Sequence, residues 1–176
     1  MSGHNKWSKI KRKKAGEDAA KSKVFSKLSR VLTMESKKCN GLLSSPSLAT
    51  AIEAAKAANM PKDTIDRAIK KGTETNTAAM ERVTYECFAP GGVAMVIEGL
   101  TDNRNRAAQE IRHALSEAGC ELGAQGSAIW AFQKGAEGWE PTVTVPVSEE
   151  DGPKLENLIE ALEELDDVQD VFVNAE

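Results

Sequence analysis

Near residue 73 the apolar residues of this chain change their period, and that change constrains the fold more than any other feature. Before it, Val24, Phe25, Leu28, Val31 and Leu32 recur at helical spacing, as do Ile65, Ala68 and Ile69. After it come strand-like runs, VTYECF, VAMVIEGL, SAIWAF, TVTVPV and VQDVFVNA, interleaved with two helical patterns. The implied class is α+β, with helices segregated at the start of the chain.

Residues 16–39 read as an amphipathic helix with Lys23, Lys27, Arg30, Lys37 and Lys38 opposite the apolar sector, and Asn40-Gly41 as its stop. A second helix begins near Ser45-Pro46, where serine can cap and proline fits the first turn, and Asn59 ends it. Pro61 opens a third, with Gly72 expected to close it after Lys70-Lys71. These define a basic helical domain over 1–72, followed by a linker, 73–80, that begins TETNTAA.

Residues 81–176 read as a ferredoxin-like α/β domain. The runs VTYECF and VAMVIEGL meet across Ala89-Pro90-Gly91-Gly92, a tight connection between strands. One helix then places Ala107, Ala108, Ile111, Ala114, Leu115 and Ala118 inward and ends at Gly119. A second, acidic helix carries Leu155, Leu158, Ile159, Leu162 and Leu165. From Val93 onward the order is β-α-β-β-α-β, with one additional leading strand.

Charge divides along the same line. Residues 1–72 carry 17 Lys and Arg against 6 Asp and Glu, whereas residues 73–176 carry 6 against 21. Within residues 1–38 the balance is 12 against 3, well beyond what solubility requires. Lys6, Lys9, Lys11, Arg12, Lys13 and Lys14, with Trp7 among them, make a cationic arm, and Lys21, Lys23, Lys27, Arg30 and Lys37 continue it along the first helix. Such groups displace counterions from phosphates and bind in a salt-sensitive, largely sequence-independent way. Trp7 has two readings: a ring that stacks on an unpaired base, or an anchor folded onto the helices.

The segment TDNRNR is a further candidate. Arg104 and Arg106 fall at the positive end of a helix, where the macrodipole disfavours cations. Either they grip phosphate, or they form a capping network with Asp102, Asn103 and Asn105.

Catalytic patterns do not emerge. His4 and His113 are the only histidines, and His113, mid-helix beside Ile111, reads as helix-surface or core-edge packing. Cys39, Cys87 and Cys120 lack metal or redox spacing. The carboxylates Glu160, Glu163, Glu164, Asp166 and Asp167 lack the glycine-centred loop of a calcium site and read as a solvated face. Neither glycine cluster matches a phosphate-binding loop. The expectation is therefore no enzyme, no cofactor, no metal, no small-molecule substrate and no membrane segment. A cytoplasmic location is expected, with the mitochondrial matrix as the alternative because the basic start shares some features of a transit peptide.

The stretches GHNKWSKIKRKKA, AKAANMPKDTIDRAIKKG, PGGVAMVIEGLTDNRNR, GSAIWAFQK and LIEALEELDDVQDVFVNAE, in that order over nearly the whole chain, resemble the successive motifs of the YebC family. The resemblance implies an N-terminal helical domain followed by two α/β domains, the third inserted into the second. Bacterial members are described as DNA-binding transcriptional regulators and as ribosome-associated factors, and a mitochondrial relative as a translational activator. Only Gly135–Glu140 lies between Lys134 and Pro141, where members of the family carry a further α/β segment, so this chain resembles a shortened member whose host domain closes on itself. The implied partner is a nucleic acid, either ribosomal RNA on the ribosome or duplex DNA. A protein-interaction role for the acidic half is a third reading.

Overall fold

The computed structural model describes residues 17–136 and 138–176. They fall into two compact units, one ending at Glu81 and the other spanning Arg82–Glu176.

The first unit holds helices α1 (Glu17–Lys38), α2 (Pro46–Ala57) and α3 (Lys62–Thr73). Their apolar stripes meet in a core of Leu32, Leu48, Ala51, Ala55, Met60, Ile65 and Ala68. Asn40 and Gly41, with φ of 50° and 74°, turn the chain out of α1. The Gly41 N–H returns to the Ser36 carbonyl at 2.9 Å, a C-terminal arrangement that glycine adopts without steric cost.

Helices α1 and α3 are joined by side chains that reach the other helix's backbone. Thr33 Oγ1 donates to the Ala68 carbonyl at 3.1 Å, and Ser36 Oγ donates to that of Ile69 at 2.7 Å. Gly72 does not close α3, as its position after two lysines suggests. The helix runs on to Thr73, and Gly72 is buried within its last turn. A Cβ there would stand 2.5 Å from the Thr33 carbonyl oxygen and 2.7 Å from Ser36 Cβ. This glycine serves close helix packing rather than chain reversal.

The second unit contains β1 (Glu81–Ala89), β2 (Val93–Thr101), α4 (Arg104–Glu117), β3 (Phe132–Gly135), β4 (Gly138–Pro141), α5 (Asp151–Glu163) and β5 (Val168–Val173). A single 3₁₀ turn, Pro90–Gly92, links β1 to β2, and so short a connection between hydrogen-bonded neighbours requires antiparallel strands. Strand β2 lies between β1 and β5 and pairs antiparallel with β5 from Met95↔Val173 to Gly99↔Val168. Both its faces are covered, which is why it is apolar almost throughout. Val93, Met95 and Ile97 face the core shared with Ile111, Leu115, Leu155, Leu158 and Leu162 of α4 and α5. Ala94 and Val96 face a second cluster with Ala128, Ala131, Phe132, Trp139 and Phe172.

The α+β class and the β-α-β-β-α-β element order are those of the sequence pattern, but the four expected strands do not share one sheet. The leading strand β1 takes the free edge of β2, and β3 pairs with β4 in a separate two-stranded sheet. Two strand positions also differ. Most of SAIWAF is not extended: Ile129–Ala131 forms a 3₁₀ turn and only Phe132 enters β3. The cause is Glu86 of β1. Its carboxylate accepts the N–H groups of Gly126, Ala128 and Ile129 at 2.7, 2.8 and 2.8 Å, taking donors that a ladder would need. TVTVPV is likewise no strand. Prolines 141 and 146 remove two donors from the region, and its pairing reduces to a bridge between Val145 and Ala175.

Candidate nucleic-acid interface

The predicted cationic surface divides into three parts. Lys6, Trp7, Lys9, Lys11, Arg12, Lys13 and Lys14 lie outside the described residues. On α1, Lys21 is exposed, while Lys23, Lys27, Arg30 and Lys37 are half-buried, as expected where long aliphatic stems lie along a helix and carry their charge outward. The Lys37 ammonium donates to the Thr77 carbonyl and so ties the following segment back to α1. Lys38 pairs with Glu35 at 2.9 Å. The sequence-level site omits Lys56, Lys62, Arg67, Lys70 and Lys71 of α2 and α3, all of which are exposed. Their charge was legible; their placement on the helical surface needed the fold.

The third part is the β2–α4 junction, where the geometry separates the two arginines. Asn103 caps α4, its Oδ1 accepting from the N–H groups of Asn105 and Arg106 at 3.1 and 3.2 Å. Arg106 reaches backward from the helix. Its Nη2 lies 2.8 Å from Asp167 Oδ2 and 2.7 Å from Asp102 Oδ1, and Nε donates to Asp167 Oδ2 at 3.2 Å. Thr101 Oγ1 donates to the same Asp167 oxygen at 3.0 Å. Its hydrogen bonds to Asp167 first, and then to Asp102, raise the Arg106 pKa further above its already high value. Arg106 thus works in an Arg–Asp network that offsets the unfavourable helix-dipole position. Arg104 is exposed at the first position of α4, and its carbonyl accepts from the Tyr85 hydroxyl at 3.3 Å.

Asp167 corrects the reading of the acidic cluster as a uniformly solvated face: it is 2% exposed. A bulge at Glu98/Gly99 brings it under β2, where the Leu100 N–H donates to its carbonyl at 2.8 Å. Glu86 is the other internal, structural carboxylate that sequence reasoning missed. Burial alone would raise its pKa, but the three backbone N–H donors outweigh that and lower it. No local signal marks either residue, because each finds its partners more than 35 positions away.

The remaining reactive groups are quiet. His113 is exposed, with Nε2 3.7 Å from Glu117 Oε1. Cys39, Cys87 and Cys120 are free thiols, and burial, with Cys120 nearby, pushes Cys87 up to about 12, far from a reactive thiolate. Among the described residues no cluster of His, Cys, Asp and Glu is placed to hold a metal, and no helix is long and apolar enough to cross a membrane.

Fold and charge therefore define a protein built from a basic helical unit and an acidic α/β unit. The chain belongs to the TACO1/YebC family: the N-terminal domain of that family matches residues 5–75, and its second and third domains match 80–137 and 136–175. A probable transcriptional regulatory protein of Fervidobacterium nodosum is 37% identical over 235 aligned residues, covering 99% of this chain and 93% of the relative. One of Myxococcus xanthus, of the same description, is 52% identical over 136 residues, 76% of this chain and 55% of the relative. A conserved hypothetical protein of Aquifex aeolicus, known from its crystal structure, superposes with a TM-score of 0.83 at 35% identity, covering 95% of each chain. Apart from the Fervidobacterium alignment, the matches to the relatives from Petrotoga mobilis, Thermosipho africanus and Myxococcus xanthus span 58%, 54% and 55% of those proteins.

The family match is interrupted at residues 136–137, and the 235-residue alignment is longer than the 176 residues of this chain. That interruption falls between β3 and β4, where Gly135 pairs with Gly138. The two matched segments thus meet within the paired strands β3 and β4. Beside this junction, Trp139 Nε1 donates to Glu98 Oε1 at 2.9 Å, and Lys134 lies 4.9 Å over the Trp139 ring.

Proposed function

We propose that this chain is a non-enzymatic regulator of gene expression that binds structured RNA on the ribosome through its basic arm and helical unit. The observation that carries this reading is the segregation of charge, 17 basic against 6 acidic residues in 1–72 and 6 against 21 thereafter. A cationic surface of this density binds phosphates without a base-reading element, and lysines suit the shape and 2′-hydroxyl contacts by which proteins hold folded RNA. The three helices offer no helix-turn-helix signature for entering a major groove. Arg106 is occupied by Asp102 and Asp167, so the working cations are those of the arm and of the helical unit, with Arg104 a further candidate. The protein acts in the cytoplasm and needs no cofactor.

The relatives are named probable transcriptional regulatory proteins, which favours a second reading as a transcriptional regulator; its target would be duplex DNA. Salt-titrated binding of the full chain to duplex DNA, ribosomal RNA helices and intact ribosomes, compared side by side, separates the two. Preference for ribosomes at physiological salt supports the translation role. Preference for one DNA sequence over random DNA at that salt overturns it.

A further inference from the structure

We propose that Leu42 and Leu43 form an apolar wedge that presses against an unstacked base of a structured RNA held by the neighbouring lysines. This rests on the nucleic-acid reading and assigns residues to it that neither charge nor family resemblance marks. The two leucines are 60% and 62% exposed, although they belong to a unit whose other aliphatic side chains largely serve its core. They sit on the turn between α1 and α2.

That turn is held in place at several points. The Gly41 N–H is bonded to the Ser36 carbonyl at 2.9 Å, the Leu42 N–H to that of Cys39 at 3.1 Å, and the Ser45 N–H to that of Leu42 at 3.0 Å. Gly41 is packed so closely on the end of α3 that a Cβ would stand 2.7 Å from Thr73 Cγ2. The leucines are therefore presented by a fixed backbone, so little ordering cost remains to be met on binding.

The surroundings select the partner. The last turns of α1 and α3 end at this corner and carry Lys37 and Lys38, and Lys70 and Lys71. Lys38, Lys70 and Lys71 are exposed. The acids nearby are Glu35, buried and tied to Lys38, and Glu74, which follows Thr73. An exposed apolar pair on a turn that adjoins two lysine-bearing helix ends matches a polyanion that offers an apolar face, which is what an extruded base provides. Leucine is among the side chains that proteins insert at unstacked base steps. A continuous duplex offers phosphates to the lysines but keeps its bases stacked, so there the wedge meets a base face only at the cost of unstacking a step.

The test uses the full chain and two RNAs of equal length, a continuous duplex and one with a single bulged 2-aminopurine. Wild type is expected to bind the bulged RNA more tightly and to raise its 2-aminopurine fluorescence as the base leaves the stack. Leu42→Ser/Leu43→Ser, whose side chains lie outside the core, should bind the bulged RNA about tenfold more weakly and lose the fluorescence rise. Its affinity for the continuous duplex should change less than about twofold, since the lysines set it. Leu42→Met/Leu43→Met should restore the signal. Equal binding of wild type and the serine variant to the bulged RNA overturns the wedge alone and leaves the lysine-based reading standing. So does a concentration-dependent dimer that the serine variant loses while RNA binding persists, because the leucines would then meet a second copy. Failure of wild type to bind either RNA or duplex DNA at low salt overturns the nucleic-acid reading and the wedge with it.

Discussion

Gly72 of α3 faces the Thr33 carbonyl of α1 so closely that a methyl group on it would lie 2.5 Å from the oxygen. The obstacle is backbone, which cannot swing aside as a side chain can. Gly72→Ala is expected to destabilise the helical unit by about 1–3 kcal/mol despite the better helix propensity of alanine. Gly152 of α5, where an added Cβ meets nothing within 4 Å, is the control. Gly152→Ala should leave stability unchanged or raise it by up to ~1 kcal/mol. Urea denaturation of the two variants checks the contrast, and equal midpoints would contradict the packing role.

The sequence revealed what depends on local period. The core positions Leu32, Ile65 and Ala68, the stripe from Leu155 to Leu162 and the run through β2 all followed from spacing, because each element buries one face or, for β2, both. What depends on distant pairing was hidden. Glu86 and Asp167 lie in acidic or alternating stretches that look exposed, and only partners far along the chain make them internal. The same long-range demand by Glu86 turned a predicted strand into a 3₁₀ turn. Of the candidate site, the lysines of α1 were legible as a face. The role of Arg106 stayed undecided between two readings, since Asp167, its main partner, lies 61 positions away.

Glu86 ties acid stability to one loop. Its pKa is lowered in the folded state, so its contribution is full above the ordinary glutamate value near 4.5 and fades as pH falls through the lower folded value. Glu86→Gln keeps the shape but replaces one acceptor oxygen with a donor facing N–H groups, at an expected cost of roughly 1–3 kcal/mol near neutral pH. The gap in melting temperature between wild type and variant should narrow as pH drops below about 4.5. A gap independent of pH would place the effect in packing rather than in the carboxylate's charge.

Arg106 should act on stability rather than on binding. Its link to the half-exposed Asp102 contributes little, but its removal takes the guanidinium from the buried Asp167 carboxylate, which also accepts from the Thr101 hydroxyl. Arg106→Ala is expected to cost about 1–3 kcal/mol. Asp167→Asn introduced alongside it should recover part of that loss, giving a non-additive cycle. Nucleic-acid affinity, measured well below the melting transition, should stay within about twofold of wild type. A stable Arg106→Ala protein with a large loss of affinity would return this arginine to the binding surface.

The arm supplies a prediction read from salt dependence alone. Each lysine or arginine that neutralises a phosphate contributes about 0.9 to the slope of log affinity against log salt on duplex DNA, and about 0.7 on single strands. Replacing Lys11, Arg12, Lys13 and Lys14 with alanine should therefore weaken binding to every sequence tested and flatten that slope by up to about 3–4. The difference between wild type and variant should be large at 50 mM salt and shrink towards 200 mM, because counterion release loses its advantage as free salt rises. A uniform loss with an unchanged slope would mean that the four residues support the fold of the arm rather than meet phosphate. Unchanged affinity at low salt would remove the arm from the interface and leave α1 to account for binding.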